Sequence, residues 1–71
     1  MEYGEAIEKV KQGVKCRCVL WKEGVFIYKD EIWLLSDEYI KTPVIFQMYA
    51  PGRIVPYTAT QLDYFAEWEE V

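Results

Sequence analysis

Lys15, Arg17 and Trp21 are odd-numbered positions of one segment, Val14 to Trp21, in which apolar and polar residues largely alternate. Residues two apart on a β-strand share a face, so this pattern predicts two cations standing beside an indole. A guanidinium pairs with a phosphate and an indole stacks on a base, which together are the parts of a nucleotide site. The plainer reading makes Trp21 the cover of a core edge and Arg17 a solvated strand residue. A second group, Thr60, Gln61 and Asp63, falls at a helix start. N–H groups at Thr60 and Gln61 could hold a phosphate there, and Asp63 could accept from ribose hydroxyls or from the exocyclic amine of a base. Capping and the helix dipole account for the same residue types without any ligand. Tyr28, with Trp33 and Tyr49, offers a further ring that could stack on a base, although such rings more commonly pack, and Phe26 belongs to a core or an interface.

Composition removes other chemistries. The 71 residues contain no histidine, so the usual proton shuttle at neutral pH and the commonest zinc ligand are both missing. Cys16 and Cys18 are the only cysteines; two apart on a strand they face the same way without the geometry of a good disulfide. They read as small buried hydrophobes of a reducing compartment, because a reactive pair usually has Cys-x-x-Cys spacing and a lowered thiol pKa. A formal charge of −4 argues against a nucleic-acid polymer as partner, which needs a broad basic field. The apolar runs are too short to span a membrane, and the charged first eleven residues do not read as a signal peptide. These features predict a soluble, cytosolic protein.

The elements that must position these residues follow from periodicity. Tyr3, Ala6, Ile7 and Val10 form a helical stripe over Tyr3 to Gln12, Glu5 and Lys9 have the spacing of an i,i+4 pair, and Gly13 is placed for a left-handed cap. Val14, Cys16, Cys18 and Leu20 form the core face of the strand that follows. Lys22 to Gly24 make a turn, Val25 to Tyr28 a second strand, Lys29 to Glu31 another turn, and Ile32 to Leu35 an apolar strand. Ser36 to Thr42 reads as a polar connection, with room for one helical turn capped by Ser36. Val44 to Tyr49 and Arg53 to Tyr57 should pair as a hairpin across a type II turn at Pro51 and Gly52. A short helix near Thr58 to Ala66 has two possible starts. One is a capping box of Thr58 with Gln61, flanked by a Tyr57 and Leu62 staple; the other is Thr60 with Asp63. Trp68 to Val71 closes the chain as an edge strand guarded by Glu67, Glu69 and Glu70. The expected fold is one α+β domain over residues 1–71. It has a small antiparallel β-sheet of about five strands, an N-terminal helix packed on it and a short helix near the C-terminus. A domain of this size buries only about 60% of its unfolded surface, and 17% aromatic content is rich for it, which points to self-association.

Three pieces together resemble a known family. Tyr3-Gly4-Glu5-Ala6-Ile7, then Arg17 with Trp21-x-x-Gly24-x-Phe26, and last Ile54-Val55-Pro56-Tyr57 with Gln61-x-Asp63 and Ala66-Glu67-Trp68-Glu69 occur in this order in small phage and prophage proteins, the second type of Thoeris anti-defence protein. The sequence departs from relatives at Tyr57, where Trp is more frequent, at Ala59, often Pro, and before Trp68, and it is shorter than many between Tyr28 and Pro43. The resemblance implies a non-enzymatic sponge without cofactors. Such a protein acts in the cytoplasm of the infected bacterium as a homo-oligomer, a tetramer in known cases. It holds cyclic ADP-ribose signals without cleaving them, some members also binding cyclic dinucleotides at a separate pocket, so that Thoeris- or CBASS-type effectors stay off. Under that reading Arg17, Trp21, Tyr28, Thr60, Gln61 and Asp63 are the ligand-binding candidates, in a pocket completed by a second subunit. A different class of function remains open: an inhibitor or structural module that turns the aromatic surface onto a host protein. A small hydrolase would have to rely on a perturbed carboxylate such as Asp63.

Overall fold

A computed structural model describes residues 1–35 and 39–71, with side chains described up to residue 32 and from residue 42 onward. The order of elements is α1 (Tyr3–Lys11), β1 (Cys16–Cys18), β2 (Phe26–Leu35), β3 (Tyr39–Ala50), β4 (Arg53–Pro56), α2 (Gln61–Phe65) and β5 (Trp68–Glu70). All five strands join one antiparallel sheet in the order β4-β3-β2-β1-β5, so the first strand pairs with the last. The expected α+β architecture is the observed one.

Helix α1 lies across the sheet on the stripe read from its sequence. Ala6 and Val10 are fully buried, and Tyr3 and Ile7 pack beside them. Its end is a Schellman motif: the Val14 N–H donates to the Lys9 carbonyl and the Gly13 N–H to the Val10 carbonyl, with Gly13 at φ +99°. Lys9 does not pair with Glu5 as the spacing suggested but reaches Glu70 of β5 at 2.7 Å, tying helix to sheet. Under the helix, Cys16, Cys18, Ile27 and Trp68 complete the core. Both cysteines are free and buried, and burial pushes the Cys16 thiol up, the state of a small hydrophobe rather than of a reactive thiol. Trp68 is the centre of this cluster, with edge-on ring contacts to Tyr3, Trp21 and Tyr57. Met1 and Trp68 exchange two hydrogen bonds of 2.8 Å, so the outer side of β5 is partly covered in addition to being charged.

Three expectations change. Lys29, Asp30 and Glu31 are not a turn; they pair with Ile45, Val44 and Pro43 inside β2, so the two short strands expected on either side of them are one. Cross-strand pairing has overridden local turn preference, and the charges are tolerated because here β2 and β3 extend beyond the paired parts of β1 and β4, leaving these side chains in water. Pro43 fits for the same reason: β4 pairs with β3 only as far as Phe46, so the missing N–H at Pro43 faces no partner strand on that side. Tyr39 to Thr42, read as connection, are strand; the proposed helical turn at Ser36 lies outside the described residues, as does the Trp33 side chain. The hairpin of β3 and β4 forms as expected, with Gly52 at φ +72° in the position that a type II turn reserves for glycine and a bulge at Tyr49.

The strand at Cys16 is the other change. It stops at Cys18, where the Trp21 N–H donates back to the Cys18 carbonyl in a turn. Leu20, placed by alternation in the core, is consequently 69% exposed. On the sheet face away from α1, Phe26, Tyr28 and Phe46 form a row of tilted rings with the Lys15 ammonium 5.2 Å from the Phe26 centroid.

Candidate functional site

The start of α2 takes the second of its two possible caps. Thr60 is the N-cap: its hydroxyl accepts from the Asp63 N–H, and the Asp63 carboxylate accepts from the Thr60 N–H at 3.0 Å. Thr58 makes no cap, and the Tyr57 and Leu62 staple drawn for it does not form, since Leu62 is 71% exposed. Tyr57 turns instead to Asp63, its hydroxyl donating to the carboxylate at 2.8 Å. The Trp68 indole N–H donates to the Asp63 carbonyl at 2.9 Å. Asp63 thus sits 5% exposed among three donors, two on its carboxylate and one on its backbone. Burial raises the Tyr57 phenol well above its ordinary pKa, and its bond to the neighbouring carboxylate raises it further.

The turn after Cys18 carries Trp21 to the same place. Its ring meets Trp68 at 5.0 Å and Tyr57 at 6.1 Å between centroids, both edge-on. Between Trp21 and the start of α2 opens a cleft of about 280 Å³, lined by Trp21, Gln47, Thr58, Thr60 and Asp63, with Cys18, Leu20 and Leu62 around them. Three of the six candidates, Trp21, Thr60 and Asp63, are therefore brought together.

The other three stand elsewhere. Arg17 alternates to the side of β1 opposite Cys16 and Cys18, where its guanidinium donates to the Glu69 carboxylate and to the Trp21 carbonyl. It is linked to Trp21 through the backbone of the turn, not through a shared face, because the strand ends before Trp21. Its Nε is buried without a partner among the described residues. Tyr28 belongs to the ring row on the face away from α1. Gln61 is exposed on α2 and does not line the cleft.

Electrostatics limit what the cleft can hold. Among the described residues no cation lines it, and the Thr60 N–H already donates to a carboxylate, so the helix start offers a phosphate little. Aromatic rings, hydroxyls and a carboxamide suit the uncharged part of a nucleotide, a base and its ribose. Asp63 retains lone pairs for a further donor. Gln47 and the open position of Thr58 were not foreseen. The available signal for Gln47 was one polar residue at a core-facing position of an otherwise apolar strand.

Among the described residues no group of three or more His, Cys, Asp or Glu could hold a metal ion, and no helix is long and apolar enough to cross a membrane. No curated protein matches the chain. The family model of the Tad2-like, or Thoeris anti-defense 2-like, domain matches residues 1–71 from end to end, and by that match the chain belongs to this anti-defence family.

Proposed function

We propose that this protein binds and holds a cyclic nucleotide signal, a cyclic ADP-ribose isomer or a cyclic dinucleotide, without cleaving it, and so silences Thoeris-type immunity in the cytoplasm of the infected cell. The observation that carries the reading is the meeting of Trp21, Thr60 and Asp63 in one cleft of a chain from an anti-defence family. Trp21 supplies the ring surface for the base, while Thr60 and Asp63 offer hydroxyl and carboxylate to the ribose. The cleft lies just below the range of about 300–1,000 Å³ typical of small-molecule sites, and it holds part of such a ligand. A second copy of the chain, within a homo-oligomer such as a tetramer, completes it and supplies the cations for the phosphates; any part taken by Arg17, Tyr28 or Gln61 runs through that second copy. Leu20 and Leu62 border the cleft, and Phe65, three residues after Leu62 on α2, is 88% exposed, so a second copy has apolar surface to cover.

Calorimetry of the full chain with glycocyclic ADP-ribose tests the reading, followed by heat release and chromatography of the ligand. Micromolar or tighter binding and recovery of the intact ligand are expected; no binding, or a cleaved product, would overturn it. The same exposed residues also suit a host-protein partner. That second reading predicts a specific protein retained on the immobilised chain, lost with Phe65→Ser and indifferent to added nucleotide.

A further inference from the structure

Gln47 stands in the middle of β3, opposite Ile27 of β2 and Val55 of β4. Directly opposed residues share a face, so Gln47 points to the side on which Ile27 is fully buried and on which Ile45, two residues back, packs against the core. This is a position for an aliphatic side chain. Gln47 instead lines the cleft together with Trp21 and Asp63, half-buried, its carboxamide without a hydrogen-bond partner among the described residues. A carboxamide has two N–H donors and a carbonyl acceptor, and at Gln47 these are not among the buried unpartnered atoms, so they stay open to the cleft and free for a ligand. The Thr60 hydroxyl and the Asp63 carboxylate beside it are accounted for by capping; this amide is not.

We propose that Gln47 is the specificity-determining residue of the cleft and reads the edge of an adenine base. An adenine edge sets the 6-amino donor beside a ring-nitrogen acceptor, and a carboxamide matches the two at once, its carbonyl accepting from the amine and its N–H donating to the ring nitrogen. Trp21, fixed edge-on against Trp68 and Tyr57, flanks the base while Gln47 meets it from the floor of the sheet. The assignment rests on the sequestration reading and adds to it the part of the ligand that the cleft discriminates.

Its test uses the full chain, Gln47→Leu, glycocyclic ADP-ribose, and the counterpart of that ligand with purine in place of adenine, which lacks only the 6-amino group. The wild type is expected to bind the adenine ligand about 10-fold or more tightly than the purine one, the discrimination given by a bidentate contact. Gln47→Leu, which removes both arms of the contact, is expected to weaken the adenine ligand by more than the purine ligand, which keeps only the ring-nitrogen bond, and so to abolish the preference. It should also melt no lower than the wild type, which confirms that the variant is folded. A variant that binds the adenine ligand as tightly as the wild type overturns the role of Gln47 and leaves sequestration standing. A wild type that binds neither ligand overturns both. A lower melting temperature for Gln47→Leu would mean that the amide has a partner within the chain in solution, and would also overturn the assignment.

Discussion

The Tyr57 hydroxyl donates to the Asp63 carboxylate at 2.8 Å, and this bond joins the strand that leaves the sheet to the first turn of α2. Without it the buried carboxylate keeps only the Thr60 N–H. Tyr57→Phe should therefore lower stability by about 2 kcal/mol, the usual range for a hydrogen bond to a charged group. Asp63→Ala, which also removes the cap, should cost more, about 3 kcal/mol. Urea unfolding at pH 7 measures both, and near-equal midpoints for Tyr57→Phe and wild type would refute the role given to this bond.

The same phenol makes stability depend on alkaline pH. Its folded-state pKa is raised above the ordinary 10.0, first by burial and then by Asp63. The folded protein thus holds the proton more tightly than the unfolded chain does. The resulting stabilisation is complete below pH 10 and is lost progressively as the pH rises beyond it. The urea midpoint of the wild type should fall above pH 10, and that of Tyr57→Phe should fall less. In the folded protein, tyrosinate absorbance near pH 11 should be short by at least one ring, with the missing absorbance appearing on unfolding.

Arg17 and Glu69 face each other across β1 and β5, and their ion pair joins the first strand to the last. Glu69 is half exposed, so solvent screens the pair and its contribution is small. Arg17→Met, which keeps the alkyl stem, should cost about 1 kcal/mol in low salt, with the loss of the bond to the Trp21 carbonyl included. In about 1 M salt, where the Debye length is about 3 Å, the difference from wild type should shrink. A difference that does not respond to salt would assign the effect to packing of the stem.

The legible parts of the fold were those set by neighbours in sequence. The stripe of α1, its glycine cap, the alternation at Cys16 and Cys18, and the Pro51 and Gly52 turn are all local signals, and the structure carries them out. Where a distant partner decides, local signals misled. Lys29 to Glu31 look like a turn until β3 pairs with them, and Trp21 looks like a strand residue until the turn at Cys18 gives its ring to Trp68. The candidate cleft suffered in the same way. Thr60 and Asp63 could be found from capping chemistry, but Gln47 joins them only because β3 lies two strands from β1, a fact of sheet order that no local pattern contains.

That sheet order also sets the order in which the protein can assemble as it is made. Trp68, on which Tyr3, Trp21 and Tyr57 close and whose indole holds the carbonyl of Asp63, arrives with the last strand. Until then β2, β3 and β4 can pair as a meander, but the face on which α1 and β1 pack lacks the ring that fills its centre. Folding therefore waits for translation to pass Trp68, and a ribosome stalled a few codons earlier would hold a chain with its cysteines and aromatic rings uncovered, a substrate for proteases rather than a partly working protein.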